Sequence, residues 1–397
     1  MSKGKVLNGK SYAGTQKVRF DDGEITQVTP PRCRVDKIGI LTFHRSLNVG
    51  AVLQAWALHI YLRSKGFDAR IIDYGHIGCS PRLKIKQFCL RSIVRLFYHF
   101  IMSFPMEDFR RAKYSKFIND HFFMTRNVCR TDLPFLSMDC YICGSDLIWH
   151  PDRNEEDMSY FLDFVSSEAR KVAYAPSFGD GHFSAAQERM IKESINRFDL
   201  LSVRETFSCK VLRNFANIDA PIVCDPTILL SVSYYVNVER RVKKLPSQYI
   251  LLYVICGHPF AEAFSEKLSD ETGLKVIYYF SGEGMSRCSK HQKGRLMNVG
   301  PAEFLYLVHN SSAVVTNSYH GLVFSLLYHK TPYVMLNDSK LDVRMTDLTS
   351  YVGLSGNVVS ASDTRRRDTN INWQNVDNRL RDLRQTGVSF LEQLKKL

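Results

Sequence analysis

Residues 37–73 read KIGILTFHRSLNVGAVLQAWALHIYLRSKGFDARIID, and this stretch decides the fold. Ile38-Gly39-Ile40-Leu41-Thr42-Phe43 is a short apolar run of the kind that forms a strand buried on both faces. A polar turn, His44 to Gly50, follows it. Val52, Leu53, Trp56, Leu58 and Leu62 then recur at helical spacing across Ala51 to Lys65, Gly66 stops the helix, and Ala69 to Asp73 supplies a second strand. Strand, helix and strand in such short succession make a βαβ unit, and its crossover implies a parallel α/β sheet.

The same alternation continues outward from this unit. Asp139 to Cys143 reads as a strand running into Gly144-Ser145-Asp146, and Lys171 to Ala175 as one running into Pro176-Ser177-Phe178-Gly179. Leu200 to Val203 precedes Arg204-Glu205, and Ile222 to Cys224 precedes Asp225-Pro226-Thr227. A basic stretch closed by Pro246-Ser247 separates a second series, with strands over 249–256, 274–280, 313–316 and 332–336, helices over 259–269, 301–310 and 321–329, and a Gly- and Ser-containing loop over 281–298. Two such series predict two Rossmann-like domains facing a cleft, 36–235 and 236–360. A mobile lead-in with one short hairpin (1–35) precedes them, a helical tail (361–397) follows, and a basic helical insertion (82–116) interrupts the first domain.

A chain of 397 residues is long enough for two domains, and 45% hydrophobic with 23% charged residues is the composition of a folded protein, not of a disordered or disulfide-stapled one. The net charge of +13 is concentrated: residues 1–35 hold 7 basic and 3 acidic groups, 82–116 hold 9 and 2, and 361–397 hold 8 and 5. The remainder is close to neutral, which argues against a basic nucleic-acid-binding face. The ten cysteines are scattered, several within apolar runs such as Ile222-Val223-Cys224, as expected of reduced thiols in a cytosolic protein. Cys140 and Cys143 form a C-x-x-C, but on a strand residues three apart point to opposite faces, so no metal site is predicted.

Met1 to Pro31 is polar and no run of about 18 apolar residues occurs, so neither a signal peptide nor a spanning helix is expected. The expected location is cytoplasmic. The insertion mixes Arg82, Lys84, Lys86, Arg91 and Arg95 with Phe88, Phe97 and Phe100, a pattern suited to peripheral contact with an anionic membrane or to a helix with one solvated face.

In open α/β sheets ligands bind beyond the carboxyl ends of the strands, so the polar residues after each strand are the site candidates. Thr316-Asn317-Ser318-Tyr319-His320-Gly321 places His320 at a helix N-terminus, where it could meet an anion or act as acid or base; the same pattern also serves as a plain cap by Asn317 or Ser318. Gly144-Ser145-Asp146 allows close backbone approach, with Asp146 able to accept a sugar hydroxyl or orient a base, and is equally an ordinary turn. In the first βα turn, His44, Asn48, Gly50 and Gln54 suit hydroxyl binding, although the turn is not G-x-G-x-x-G. The Arg204 guanidinium suits a carboxylate or phosphate, or an ion pair with Glu205.

Six segments in order carry a resemblance: Thr42-Phe43-His44 with Asn48 to Gln54, Gly144 to Trp149, Ala173 to Gly179, Val203-Arg204-Glu205, Cys224 to Thr227, and Thr316 to Ser325. Together they resemble the polysaccharide pyruvyl transferase family from about Lys37 to Leu354. The resemblance implies a two-domain fold similar to GT-B glycosyltransferases. It also implies transfer of pyruvate from phosphoenolpyruvate to two hydroxyls of a sugar, giving a ketal, with no cofactor and no metal.

By the same resemblance His320 matches the family's catalytic histidine and Arg204 its donor-binding arginine. Asp146 is then expected as orienter or second base, and Asn317, Ser318, Tyr319 and Gly321 on the donor side. His44, Asn48, Gly50, Gln54 and Ser145 are expected on the acceptor side. The expected acceptor is a sugar or oligosaccharide, free or lipid-linked, and no nucleic-acid partner is expected. Ser318 stands where some members carry Arg, a charge that Arg344 or Arg287 could supply; Val49 and Leu147 stand where an aromatic residue and Gln are common. Two alternatives remain: a GT-B-like glycosyltransferase using a nucleotide sugar, and a catalytically silent glycan-binding or assembly protein.

Overall fold

The apolar runs of the sequence become two parallel sheets with helices packed between and around them. The computed structural model describes residues 16–19, 25–28, 35–75, 104–151, 157–179, 183–255, 258–281, 296, 298–336, 342–360 and 370–397. Near the N-terminus β1 (Gln16–Arg19) and β2 (Ile25–Val28) pair as an antiparallel hairpin. The first domain then runs β3 (Lys37–Leu41), α1 (Val49–Ser64), β4 (Asp68–Ile71), α2 (Phe104–His121), β5 (Cys140–Cys143), β6 (Arg170–Ala173), α3 (Ala185–Ile195), β7 (Leu200–Leu201), α4 (Thr206–Ala216), α5 (Pro226–Leu229) and α6 (Val232–Val236). Its sheet has the order β4-β3-β5-β6-β7 and is parallel throughout.

The second domain contains β8 (Tyr249–Ile255), α7 (Pro259–Thr272), β9 (Lys275–Ser281), α8 (Pro301–His309), β10 (Ala313–Thr316), α9 (Tyr319–Leu327), β11 (Thr331–Met335), α10 (Val343–Tyr351) and β12 (Val358–Val359). Its parallel sheet has the order β9-β8-β10-β11-β12. Counted from each domain's first strand, both sheets share one order, second-first-third-fourth-fifth. The direction of winding therefore reverses between β3 and β5 in one domain and between β8 and β10 in the other. Such reversal points open the crevices where ligands of doubly wound sheets sit.

Helix α1 is buried from Val49 through His59, so it is a core helix and not an amphipathic surface one. It packs on β4 and α5 and also touches α8 of the second domain. Helix α2 likewise spans the seam: Trp56 of α1 meets Phe117 edge-on at 6.0 Å, and Lys113 pairs with Glu303 of α8 at 2.9 Å. The predicted tail folds as α11 (Trp373–Glu392), which ties the two domains together. Near its start Asp377 meets His329 of the second domain at 2.8 Å; further along, Arg384 donates to the carbonyls of Ile228 and Leu230, and Gly387 packs against Tyr174 and Cys224.

Two sequence expectations change. Ile222 to Cys224 is not a sheet strand. Apart from one bridge between Val203 and Ile222, its backbone is claimed elsewhere, the Cys224 N–H going to Thr386 Oγ1 of α11 at 3.2 Å. The basic insertion differs in part where it is described: Arg110 is only 2% exposed and Lys113 is ion-paired across the seam, whereas Arg111 and Lys116 stay exposed, so this part of α2 packs between the domains on one face and keeps basic groups in water on the other. Residues 82–103, with most of the insertion's basic groups, and Arg287 lie outside the described residues.

Candidate functional site

The two reversal points face each other across the seam, and short capping motifs fix the side chains there. In the second domain Asn317 follows β10 and its amide pairs with the backbone of Ile255 at the end of β8, accepting from its N–H at 2.7 Å and donating to its carbonyl at 3.2 Å. This amide acts as a piece of backbone that joins two neighbouring strands just where the sheet opens. Ser318 then caps α9, its hydroxyl accepting from the N–H of Gly321. Gly321 is required by space, since a Cβ there would collide with Thr316 Oγ1 and Tyr253.

His320 enters the first turn of α9 and reaches the first domain. Its Nδ1 lies against Gly50, where a Cβ could not fit, and its Nε2 lies 3.4 Å from Oδ2 of Asp225. Asn48 caps α1 by accepting from the Gly50 N–H at 2.9 Å, so the start of α1 and the start of α9 meet at the imidazole.

Asp225 is the hub of the site. Its Oδ1 accepts from Thr227 N at 3.0 Å and from Thr227 Oγ1 at 2.7 Å, capping α5, whereas its Oδ2 accepts from Arg204 Nη1 at 3.0 Å and faces His320. Burial raises the Asp225 carboxyl, but the His320 imidazole, the Arg204 guanidinium and the Thr227 N–H outweigh it and hold the group well below the carboxylate range.

Arg204 is buried and surrounded by three carboxylates. Besides Asp225, Asp146 lies 3.5 Å from Nη2 and Glu205 3.6 Å from Nε. Neither of these two contacts has hydrogen-bond alignment, so the Nε/Nη2 edge of the fork has no aligned acceptor, and neither does Nε2 of His320. Burial lowers the pKa of Arg204, but the three carboxylates, Asp146 first, overcome this and fix the positive charge. Arg344 brings a second guanidinium 5.9 Å from the Tyr319 ring, with Arg204 5.2 Å from the same ring. Burial, then the charge of Arg204, lowers the Arg344 pKa. The carboxylates of Glu205 and Asp146 act on Arg344 as well and partly offset that lowering.

The other sequence candidates fall into two groups. Asp146 sits in the left-handed region at φ 73°, after a cis Gly144–Ser145 peptide, and faces Arg204. Gly144, at φ 120°, cannot carry a Cβ because Tyr174 O occupies that space. Ser145 is fully buried: its hydroxyl donates to Ala175 O at 2.6 Å and its N–H to Gln54 Oε1 at 3.1 Å. The Gln54 amide also donates to Thr42 Oγ1 and Ala51 O, so Gln54 and Ser145 brace the β3–β5 reversal point from within. His44 bridges Thr42 O and Asp73, and Arg45 grips Asp73 with two contacts of 2.6 Å; these residues form a separate cluster at the end of β4.

Sequence reasoning reads Asp225-Pro226-Thr227 first as a turn and only second as part of a site, and so leaves Asp225 out of the expected site residues. In the structure one carboxylate oxygen caps α5, and the other, which no local pattern signals, faces Arg204 and His320. Among the described residues no group of three or more His, Cys, Asp or Glu side chains is placed to hold a metal ion, and no helix is long and apolar enough to cross a membrane.

The sequence matches the family model described as polysaccharide pyruvyl transferase over residues 48–339. None of the curated proteins compared with the chain matches it. Among solved structures, it is similar to UDP-N-acetylglucosamine 2-epimerase from Rickettsia bellii, with 8% identity, 92% of this chain and 98% of the other covered, and a TM-score of 0.47. It is also similar to UDP-GlcNAc 2-epimerase from Methanocaldococcus jannaschii, at 11% identity, 87% and 99% coverage and a TM-score of 0.43. A third is the glycosyltransferase SnogD from Streptomyces nogalater, at 10% identity, 90% and 96% coverage and a TM-score of 0.41. The family match spans most of the chain and takes in Gly50, Asp146, Arg204, Asp225 and His320, and by it this protein belongs to the polysaccharide pyruvyl transferase family.

Proposed function

We propose that this protein transfers the pyruvyl group of phosphoenolpyruvate to two hydroxyls of a sugar in a polysaccharide precursor, closing a ketal. The observation that carries this is the buried centre in which Asp225 Oδ2 holds both Arg204 and His320, while the Nε/Nη2 edge of Arg204 and Nε2 of His320 have no aligned acceptor. A planar fork with two parallel N–H groups fits the carboxylate or phosphate of such a donor, and Arg344 adds charge. The N-terminus of α9 adds backbone N–H groups.

Chemistry follows from this placement. His320 gives its proton to the methylene carbon, which takes up the π electrons and leaves a cationic C2. The first sugar hydroxyl attacks C2, its proton passing to Asp146. The C–O bond to phosphate breaks, phosphate leaving with the bonding pair and taking up the proton held by Asp146. The second hydroxyl then attacks C2 and returns a proton to His320, so one phosphate is released for each ketal formed. Asp225 acts as a positioning residue that orients the imidazole.

The test mixes the protein with phosphoenolpyruvate and acceptor oligosaccharides and follows phosphate release together with the ketal product. His320→Ala should abolish both. Stabilisation against heat by UDP or GDP sugars, with none by phosphoenolpyruvate, would overturn the proposal in favour of a nucleotide-sugar transferase. If the acceptor is lipid-linked, the basic residues of 82–103 hold the protein at an anionic membrane face; deleting them should then reduce co-sedimentation with anionic vesicles and spare turnover of a soluble acceptor.

A further inference from the structure

Three carboxylates stand around Arg204, and they are not held alike. Asp225 gives both oxygens to aligned donors, Oδ1 to the N–H and hydroxyl of Thr227 and Oδ2 to Arg204 Nη1. Glu205 is anchored through Oε1, which accepts from the Ser208 hydroxyl. The Asp146 side chain makes no hydrogen bond among the described residues; one of its oxygens lies 3.5 Å from Arg204 Nη2, out of line. It is also the most open of the three, its side chain 13% exposed against 5% for Glu205 and none for Asp225. The Asp146 backbone is fixed, its carbonyl accepting from the Ser177 N–H at 2.9 Å, so any movement falls to the side chain.

The charge of the centre demands such a movement when an anionic donor arrives. Arg204 and Arg344 bring two positive charges, Asp146, Glu205 and Asp225 three negative ones, and Asp146 and Glu205 act on both guanidiniums. A proton on His320 would bring the group only to neutrality. Phosphoenolpyruvate carries a carboxylate and a phosphate, and setting such an anion beside buried carboxylates is strongly unfavourable. The Nε/Nη2 edge that would receive it is bordered by Glu205 on the Nε side and by Asp146 on the Nη2 side. Of the three carboxylates only Asp146 can leave without breaking a hydrogen bond.

We infer that Asp146 is a stand-in for the donor anion: it covers the Nη2 side of the Arg204 fork in the free protein and is displaced when the donor docks there. The inference rests on the reading of Arg204 as the donor fork. Exchange of one anion for another keeps the buried guanidinium supplied with counter-charge throughout, which avoids the cost of an unpaired buried cation. It also sets an order. While Asp146 faces Arg204 it is a poor base, and the arriving donor turns it loose to take the proton of the sugar hydroxyl, so the acceptor is activated only with the donor in place.

The test measures binding of phosphoenolpyruvate and of inorganic phosphate by calorimetry, and steady-state turnover. It uses the wild-type protein and the Asp146→Asn, Glu205→Gln, Arg204→Lys and Asp146→Asn/Arg204→Lys variants. Asparagine keeps the shape of Asp146 and, like aspartate, tolerates the left-handed backbone found there, at φ 73°. The inference expects Asp146→Asn to bind phosphoenolpyruvate roughly tenfold more tightly, the scale of one hydrogen bond to a charged group, while kcat falls because the base is gone. Glu205→Gln should gain no more than about threefold, the general effect of one carboxylate fewer. The gain from Asp146→Asn should vanish in the Arg204→Lys background, where no fork is left to uncover. Equal or weaker donor binding in Asp146→Asn overturns the inference, as does an equal gain in Glu205→Gln or a gain that persists beside Arg204→Lys. The wild-type protein supplies a check that needs no variant: a crystal grown with phosphoenolpyruvate should show a donor oxyanion on Nη2 and the Asp146 carboxylate turned from it. Asp146 still against Nη2 with the donor bound would overturn the inference. Donor affinity unchanged in Arg204→Lys would count against the donor reading and the inference together. Tighter inorganic phosphate binding in Asp146→Asn, with no binding of phosphoenolpyruvate to any of the proteins, would count against pyruvyl transfer and leave the stand-in role supported.

Discussion

Asp225 and His320 meet across the domain seam, the carboxylate Oδ2 3.4 Å from the imidazole Nε2, while that same oxygen accepts from Arg204 at 3.0 Å. One buried carboxylate from the first domain thus sets the position of a cation in its own domain and of a histidine in the other. The imidazole therefore reaches this oxygen only where the two domains meet.

Asp225→Asn tests that coupling. The amide can still cap α5 through its oxygen, but it leaves Arg204 with one fewer counter-charge in a buried place. Breaking a buried pair in this way costs about 3–5 kcal/mol, read as a lower urea midpoint. Turnover should fall by about 100-fold or more as the imidazole loses its orienting charge. Turnover within threefold of wild type would remove Asp225 from the machinery.

Gly50→Ala separates site from scaffold. Gly50 lies within α1, where alanine is the better helix former by about 1 kcal/mol, so the helix itself should gain. The added methyl would run into His320 Nδ1. The expected outcome is a folded protein, checked by circular dichroism and Tm, whose phosphate release from phosphoenolpyruvate drops by at least about tenfold. A variant that folds and turns over normally would show that His320 is free to move without loss.

These two residues also mark what a sequence can and cannot disclose. The βαβ alternation was legible because burial between two helical layers demands unbroken apolar strands, and the polar residues after them pointed to Asp146, Arg204 and His320 through topology alone. Asp225 was only half legible: its cap is local, its second oxygen serves partners 21 and 95 residues away in the chain. Gln54 looked like a ligand residue because it is polar and near the first turn, yet its amide is consumed in holding β3 to β5. Arg110 looked like surface charge, since nothing local signals that α2 crosses to the second domain. Local rules read caps and strands; convergence of distant side chains is a tertiary property.

Arg204→Lys keeps the charge and removes the fork. A lysine ammonium can still face Asp225 but cannot offer two parallel N–H groups. Donor KM should rise roughly tenfold to a hundredfold, the loss of one charge-assisted hydrogen bond, with a smaller change in kcat. Arg344→Gln, which removes charge near the Tyr319 ring, should raise donor KM while leaving acceptor KM alone. Steady-state kinetics with both substrates varied would detect the difference, and an unchanged donor KM in both variants would place the donor elsewhere.

His59 predicts how the protein responds to acid. It is fully buried on α1, stacked on Phe122, and its Nε2 accepts from the Phe123 N–H. Burial, and then the nearby Arg63 charge, lower its pKa from 6.5 to about 4. A histidine that binds its proton less readily when folded than when unfolded stabilises the fold above its unfolded pKa, and that stability is lost as pH falls from 6.5 towards 4. The unfolded chain takes up a proton across this window and the folded chain does not, so stability must decline with acid, by roughly 3 kcal/mol at most for this group. Urea unfolding measured between pH 7 and 4 should show the decline. His59→Leu removes the titrating group and should flatten it, at the cost of the Phe123 hydrogen bond at every pH. An equally steep profile in the variant would assign the acid response to other groups.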